Sequence, residues 1–229
     1  MADSVLGGWM GPKCAGLSRV LPSGRWEWLD GGSLGQVGSL PQETRNGSFA
    51  VQASLEAGEF RRAVARFATG VTVLTTRSGE RHLGMTANSF VSVSLEPLLV
   101  LASIRRDAHF HAPLLAAGVW GVSVLAADMA DVSRHFARRA ADRERDQGGG
   151  DNGLGGWAHT VGPHTGVALL EGALSVFECR TVATHPGGDH TLVIGEVVHL
   201  DQGRDDAAPL VFYQGGYLTP AAPAPRDAT

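Results

Sequence analysis

The chain has 229 residues, 43% hydrophobic and 18% charged, enough apolar material for one packed domain with tails. Its net charge of −4 excludes the basic footprint of a nucleic-acid binder and a polybasic patch for a membrane surface. The longest apolar runs, such as Leu98–Ala102 and Leu192–Ile194, are strand-length, well short of the ~20 apolar residues that span a bilayer.

The first segment, 1–52, is rich in Gly, Ser and Pro, carries Trp9, Trp26 and Trp28, and has no sustained period. Such a stretch buries too little apolar surface to offset its ordering entropy, so it is expected to be disordered. No charged region followed by an apolar one marks it as a secretory signal. The two cysteines, Cys14 and Cys179, lie far apart and suit a reducing compartment. A cytoplasmic protein is expected.

The domain is expected over 53–218. Ser54 is placed as the N-cap of a helix with Glu56 and Glu59 in its first turn. Phe60, Val64 and Phe67 share one face, Arg61, Arg62 and Arg66 lie outside it, and Gly70 is assigned a left-handed cap. Val71–Thr76 is β-branched and reads as a strand, with Arg77–Glu80 as a hairpin turn. The second arm opens into Gly84-Met85-Thr86-Ala87-Asn88-Ser89. A glycine there permits close approach, and the following hydroxyls and carboxamide offer donors and acceptors. Alone, this is a polar turn on a sheet edge.

Phe90–Leu95 alternates as a half-buried strand, whereas Leu98–Ile104 is continuously apolar, as in a strand buried on both faces. Asp107 is placed as the cap of an irregular helix through Leu115 that ends at Gly118, with Pro113 inside it. Val119–Leu125 reads as a strand and Asp128–Arg139 as a helix with Met129, Val132 and Phe136 on one face. Ala140–Gly156 is a charged, then glycine-rich loop. Val167–Thr184 and Thr191–Leu200 are strand-like, separated by His185–His190. A last strand, Leu210–Tyr213, precedes Gly215-Gly216-Tyr217, and 219–229 is an Ala/Pro-rich tail.

Many strands, few helices and no βα alternation predict a mostly β fold, a closed or partly closed antiparallel barrel with peripheral helices. No GxGxxG follows a strand and no P-loop motif occurs. His109 and His111 fall in a helical segment, where a spacing of two points imidazoles apart, so no metal site is assigned. Cys179 belongs to an apolar strand and is read as core.

Four motifs occur in order: Phe67-Ala68-Thr69-Gly70-Val71-Thr72-Val73, Gly84-Met85-Thr86-Ala87-Asn88-Ser89-Phe90, Ser92-Val93-Ser94-Leu95-Glu96-Pro97 and Gly188-Asp189-His190. Together they resemble the short-chain flavin reductases, the reductase components of two-component flavin-dependent monooxygenases. The resemblance spans Glu59 to Tyr217. It implies the FMN-binding split barrel, usually a homodimer, with FMN or FAD and NADH or NADPH as ligands and an oxygenase receiving reduced flavin.

By the same resemblance, Thr69, Gly70, Val71, Met85, Thr86, Ala87, Asn88 and Ser89 border the flavin, and Phe136 flanks it. Ser103, Ile104, Arg105 and Arg106 correspond to the segment that reaches the phosphate, where hydroxyl and guanidinium donors suit the oxygens. Asp189 and His190 correspond to the nicotinamide side, His190 being assigned to catalysis, and Tyr217 lies near the same site. A single proline, Pro97, stands where the family commonly has two. Two other readings stay open: a split-barrel flavoprotein that retains its flavin for its own substrate, and a non-catalytic flavin- or haem-binding module.

Overall fold

The computed structural model describes residues 18–20, 26–28, 55–138 and 153–220. The chain divides into two units, 1–53 and 54–229. In the first, β1 (Ser18–Val20) pairs antiparallel with β2 (Trp26–Trp28), a short ladder in a segment expected to lack structure. The rest of the 1–52 extension, most of the glycine-rich loop and the tail beyond 220 lie outside the described residues.

The second unit is built on a seven-stranded antiparallel sheet. Its strands are β4 (Thr72–Ser78), β5 (Arg81–Ala87), β6 (Phe90–Leu95), β7 (Leu98–Arg105), β8 (Val119–Val124), β11 (Ser175–Gly187) and β12 (His190–Gln202). The order is β5-β4-β8-β11-β12-β7-β6. A three-stranded ladder joins β3 (Thr69–Gly70), β13 (Val211–Tyr213) and β14 (Gly216–Leu218), and β9 (His159–Val161) pairs with β10 (Ala168–Leu170). Three helices are peripheral: α1 (Ala57–Val64), α2 (His111–Ala117) and α3 (Ala130–Ala137), the last entered through a 3-10 turn at Ala127–Met129. The expected mostly β, antiparallel architecture with peripheral helices is what forms. Among the described residues no helix is long and apolar enough to cross a membrane.

Several local expectations give way to tertiary pairing. Helix α1 starts after Glu56 rather than at Ser54, and ends at Val64 with the amides of Arg66 and Phe67 closing onto Ala63 and Val64. Gly70 is no helix cap; it lies in β3 opposite Val211. The face of Phe60, Val64 and Phe67 stays exposed, at 65, 51 and 75%. In β7 the apolar run is not buried on both sides. Val100, Ala102 and Ile104 point into the core, while Leu99, Leu101 and Ser103 are half-buried. Helix α2 begins at His111 rather than at Asp107 and ends at Gly118 as expected, that residue closing it in the left-handed conformation at φ 64°. The His185–His190 loop shrinks to a two-residue turn, Gly188-Asp189, because Pro186 and Gly187 pair with Thr191 and His190.

Two hydrophobic clusters fill the interior. One gathers Leu74, Ile104, Leu114, Trp120, Val122 and Val193 around Cys179. The other gathers Val71, Val73, Leu125, Val132, Phe136 and Leu210 under α3. Cys179 is a fully buried free thiol, pushed up to about 12 first by burial and then by the neighbouring Glu178 carboxylate. Glu178 is itself fully buried. Its Oε2 accepts from the Thr165 amide at 2.6 Å and the Thr165 hydroxyl at 2.5 Å, with the His164 amide at 3.2 Å. Those donors replace the water a buried carboxylate gives up.

Candidate functional site

A cleft of about 820 Å³ opens where β5, α3 and the β13–β14 hairpin meet the end of β7. Its floor follows from one glycine. A Cβ on Gly84 would lie 2.5 Å from Cε1 of Phe136, so only glycine lets α3 press its aromatic ring onto β5. Beside it, the Thr86 hydroxyl donates to the Ser133 carbonyl of α3 at 2.7 Å. Tyr217 reaches the same helix, its Oη sharing a 2.7 Å hydrogen bond with Ser133 Oγ. Tyr217 also meets Phe212 edge to face, with ring centroids 5.7 Å apart. Leu83, Met85 and Phe110 add further apolar wall, so the cleft offers flat surfaces along one side.

The opposite rim is polar. Arg105, at the end of β7, is 60% exposed and donates through Nη2 to Asp107 at 2.5 Å. The β11–β12 turn is tied to this strand end, for the Arg106 amide donates to the Asp189 carbonyl at 3.0 Å. His190 stands directly across the ladder from Arg105, on the same face of the sheet. Nδ1 of His190 lies 2.7 Å from Asp189 Oδ1. That hydrogen bond, and then the charge of the imidazole, hold the Asp189 carboxyl below the usual range.

Residues 64–221 match the flavin reductase like domain, over half of the chain. The chain belongs to this family. An NADH-dependent flavin reductase of Rhodococcus is 44% identical over 160 residues, covering 69% of this chain and 82% of that protein. The reductase component of 4-hydroxyphenylacetate 3-monooxygenase from Thermus thermophilus is 40% identical over 162 residues, 69% of this chain and 93% of that protein. Among solved structures, the NADH:FAD oxidoreductase of Streptomyces globisporus aligns with a TM-score of 0.66 at 35% identity, covering 73% of this chain and 94% of that one. The β-sheet described above is the split barrel of these flavin reductases.

Within the flavin reductase-like domain, Val71, Met85, Thr86, Asn88, Arg105, Phe136 and Tyr217 come together on the cleft wall. The other residues singled out by resemblance are not part of that lining. Ala87 and Ile104 turn their side chains into the core. Ser89 Oγ is committed to the Ser103 backbone, donating to its carbonyl at 2.9 Å and accepting from its amide at 3.2 Å. Thr69 and Gly70 lie one strand behind, Thr69 paired with the cleft residue Phe212. Arg106, Asp189 and His190 form the strand end and turn beside the rim.

Sequence reasoning missed Asp107, Ala108, His109 and Phe110, which line the cleft because α2 begins later than the Asp107 cap implied. It also missed Arg138 and Phe212. The period of two along Leu210 and Phe212 carried a signal for Phe212, since it places that ring on the same face of the strand as the buried Leu210, at the edge of the core beneath the cleft. Groups of three or more His, Cys, Asp or Glu side chains able to hold a metal are absent among the described residues.

Proposed function

We propose that this protein is an NAD(P)H:flavin oxidoreductase that hands reduced FMN or FAD to a separate oxygenase component. The observation that carries the reading is the join of an aromatic-floored cleft to a cationic rim within one strand end. A flat heteroaromatic ring suits Gly84, Met85 and Phe136, and an anionic tail suits Arg105. The cleft volume of about 820 Å³ lies within the range of pockets that hold cofactor-sized ligands. The named relatives support the same activity, and the Rhodococcus and Streptomyces globisporus proteins are named for NADH, which makes NADH the preferred donor here.

Flavin, when bound, supplies the acceptor for a hydride from the nicotinamide. The chain supplies position. This reading puts the ring along Thr86–Ser89, with Thr69, Gly70 and Val71 behind it and Phe136 flanking it. With the Thr86 and Ser89 hydroxyls donating to the Ser133 and Ser103 carbonyls, the Asn88 carboxamide is the side-chain donor of that stretch that would favour the electron-rich reduced ring. The phosphate lies by Ser103–Arg106. His190, fixed at Nδ1 by Asp189, keeps Nε2 for the nicotinamide, with Tyr217 alongside.

The protein works as a homodimer in the cytoplasm, in this reading. Val91, Val93, Leu95 and Leu98 support the dimer, being 54, 47, 68 and 44% exposed on neighbouring strands. The free thiol of Cys179 fits a reducing compartment.

The test is NADH and NADPH oxidation with FMN, FAD and riboflavin in turn. Flavin-dependent turnover is expected, and His190→Ala should raise the nicotinamide KM by about tenfold, roughly one lost charge-assisted contact. No oxidation with any flavin would sink the proposal.

A further inference from the structure

Helix α3 turns Val132 and Phe136 into the core, yet Ser133 beside them is equally buried, with no exposed surface. A hydroxyl in such a place costs free energy unless it is hydrogen-bonded. Its partner is Tyr217, at 2.7 Å. The Ser133 carbonyl meanwhile accepts from Thr86 at 2.7 Å. One buried residue, itself outside the cleft lining, therefore grips two cleft residues that come from different strands.

Besides its bond to Ser133, Tyr217 is restrained by the edge-to-face contact with Phe212, its partner across the hairpin, which packs with it against the core. It sits in β14, three residues long, paired with β13, also three residues long. On its ring face lies Arg134, with Cζ 5.3 Å from the centroid and Nη1 held 2.7 Å from Asp131. The ring is thus held at its edge by Phe212, over its face by an exposed cation, and at its hydroxyl by a buried donor-acceptor, which of the polar contacts is the one shielded from solvent and the stronger.

We propose that Ser133 is a positioning residue: its hydroxyl seats Tyr217 against α3, and so sets the gap between Tyr217 and the Gly84–Thr86 wall that admits a flat aromatic ligand. The inference rests on the flavin reading only for the identity of that ligand. A serine that merely packed in the helix would alter stability without altering the affinity of the folded protein.

The test is a double-mutant cycle on the full chain, with FMN binding read by quenching of flavin fluorescence. Ser133→Ala and Tyr217→Phe should each weaken binding by about three- to tenfold, the effect of one lost hydrogen bond. The double variant should bind no more weakly than either single one, because both remove the same bond. Ser133→Thr, which keeps the hydroxyl, should restore affinity. Additive losses, or unchanged affinity in Ser133→Ala, would overturn the proposal.

A second measurement needs no ligand. In protein carrying Tyr213→Phe and labelled with 3-fluorotyrosine, Tyr217 is the one labelled residue, since the chain has two tyrosines. Its fluorine resonance should shift and broaden in Ser133→Ala; an unmoved resonance overturns the latch. Should Ser133→Ala not fold, Tyr217→Phe alone must reproduce the loss of FMN affinity. Wild-type protein that fails to quench flavin at all would count against the flavin reading, and the fluorine signal would then decide the latch by itself.

Discussion

Gly84 shows how much of the site depends on a missing side chain. With Phe136 lying 2.5 Å from where its Cβ would stand, Gly84→Ala must displace either the ring or the strand. Overpacking of this kind costs about 1–3 kcal/mol, and here the displaced ring is the cleft floor. Chemical denaturation should show that loss, and FMN titration should show weakened binding in the protein that still folds. His82 is a second residue under strain. Its Nδ1 is buried without a partner, and burial, then His159 and Arg77, hold the imidazole below the ordinary histidine value of 6.5. The folded state therefore resists protonation more than the unfolded chain does. Stability from this residue is present above 6.5 and is lost as pH falls from there through the lower folded value. Melting temperatures at pH 7.5 and 5.5 should differ less in His82→Gln than in the natural protein. An equal difference would remove His82 as a cause. At this scale Gly84–Asn88 was legible because its small polar residues are contiguous. Ser133 was not, since one hydroxyl beside an apolar helical stripe looks like any half-exposed helix position.

Among the elements, β6 carries the clearest unspent surface. Among the described residues it is an edge strand paired with β7 alone, and its apolar side chains Val91, Val93 and Leu95 are exposed. The alternation in FVSVSL correctly gave a strand; which face a partner covers is beyond the reach of one chain's sequence. If that face joins two copies, Val91→Asp combined with Leu95→Arg should convert a particle of twice the 24.0 kDa chain mass into one of single mass in sedimentation experiments. A natural protein already at single mass at micromolar concentration would exclude the dimer. The misjudged elements share a cause. Gly70 has the local preferences of a helix cap, but pairing with Val211 draws it into β3. Pro186 looks like a strand breaker, yet β8 pairs with β11 only as far as Arg180, so the missing amide of Pro186 faces no ladder. Which neighbouring strand stands beside each residue, invisible to local propensity, decided both.

Across the molecule, β11 and β12 form the spine, each 13 residues long and central in the seven-stranded order. The mostly β class was legible from strand count and the absence of βα alternation, but the way the cleft borrows from β5, α3, β14 and β7 was not, because it depends on which ends of distant strands meet. The spine also holds Cys179 between β8 and β12, with its thiol pushed up to about 12. At neutral pH the folded protein then has almost no thiolate at this position, and an alkylating reagent has no nucleophile to capture. Cys179 becomes a built-in clock for the parting of the central strands: each modification event marks one opening of the spine. Brief exposure to iodoacetamide at pH 8 across a denaturant series, with the modified peptide read by mass, should follow the global unfolding curve. Labelling well before that curve would mean that the spine opens on its own while the rest of the barrel stays closed.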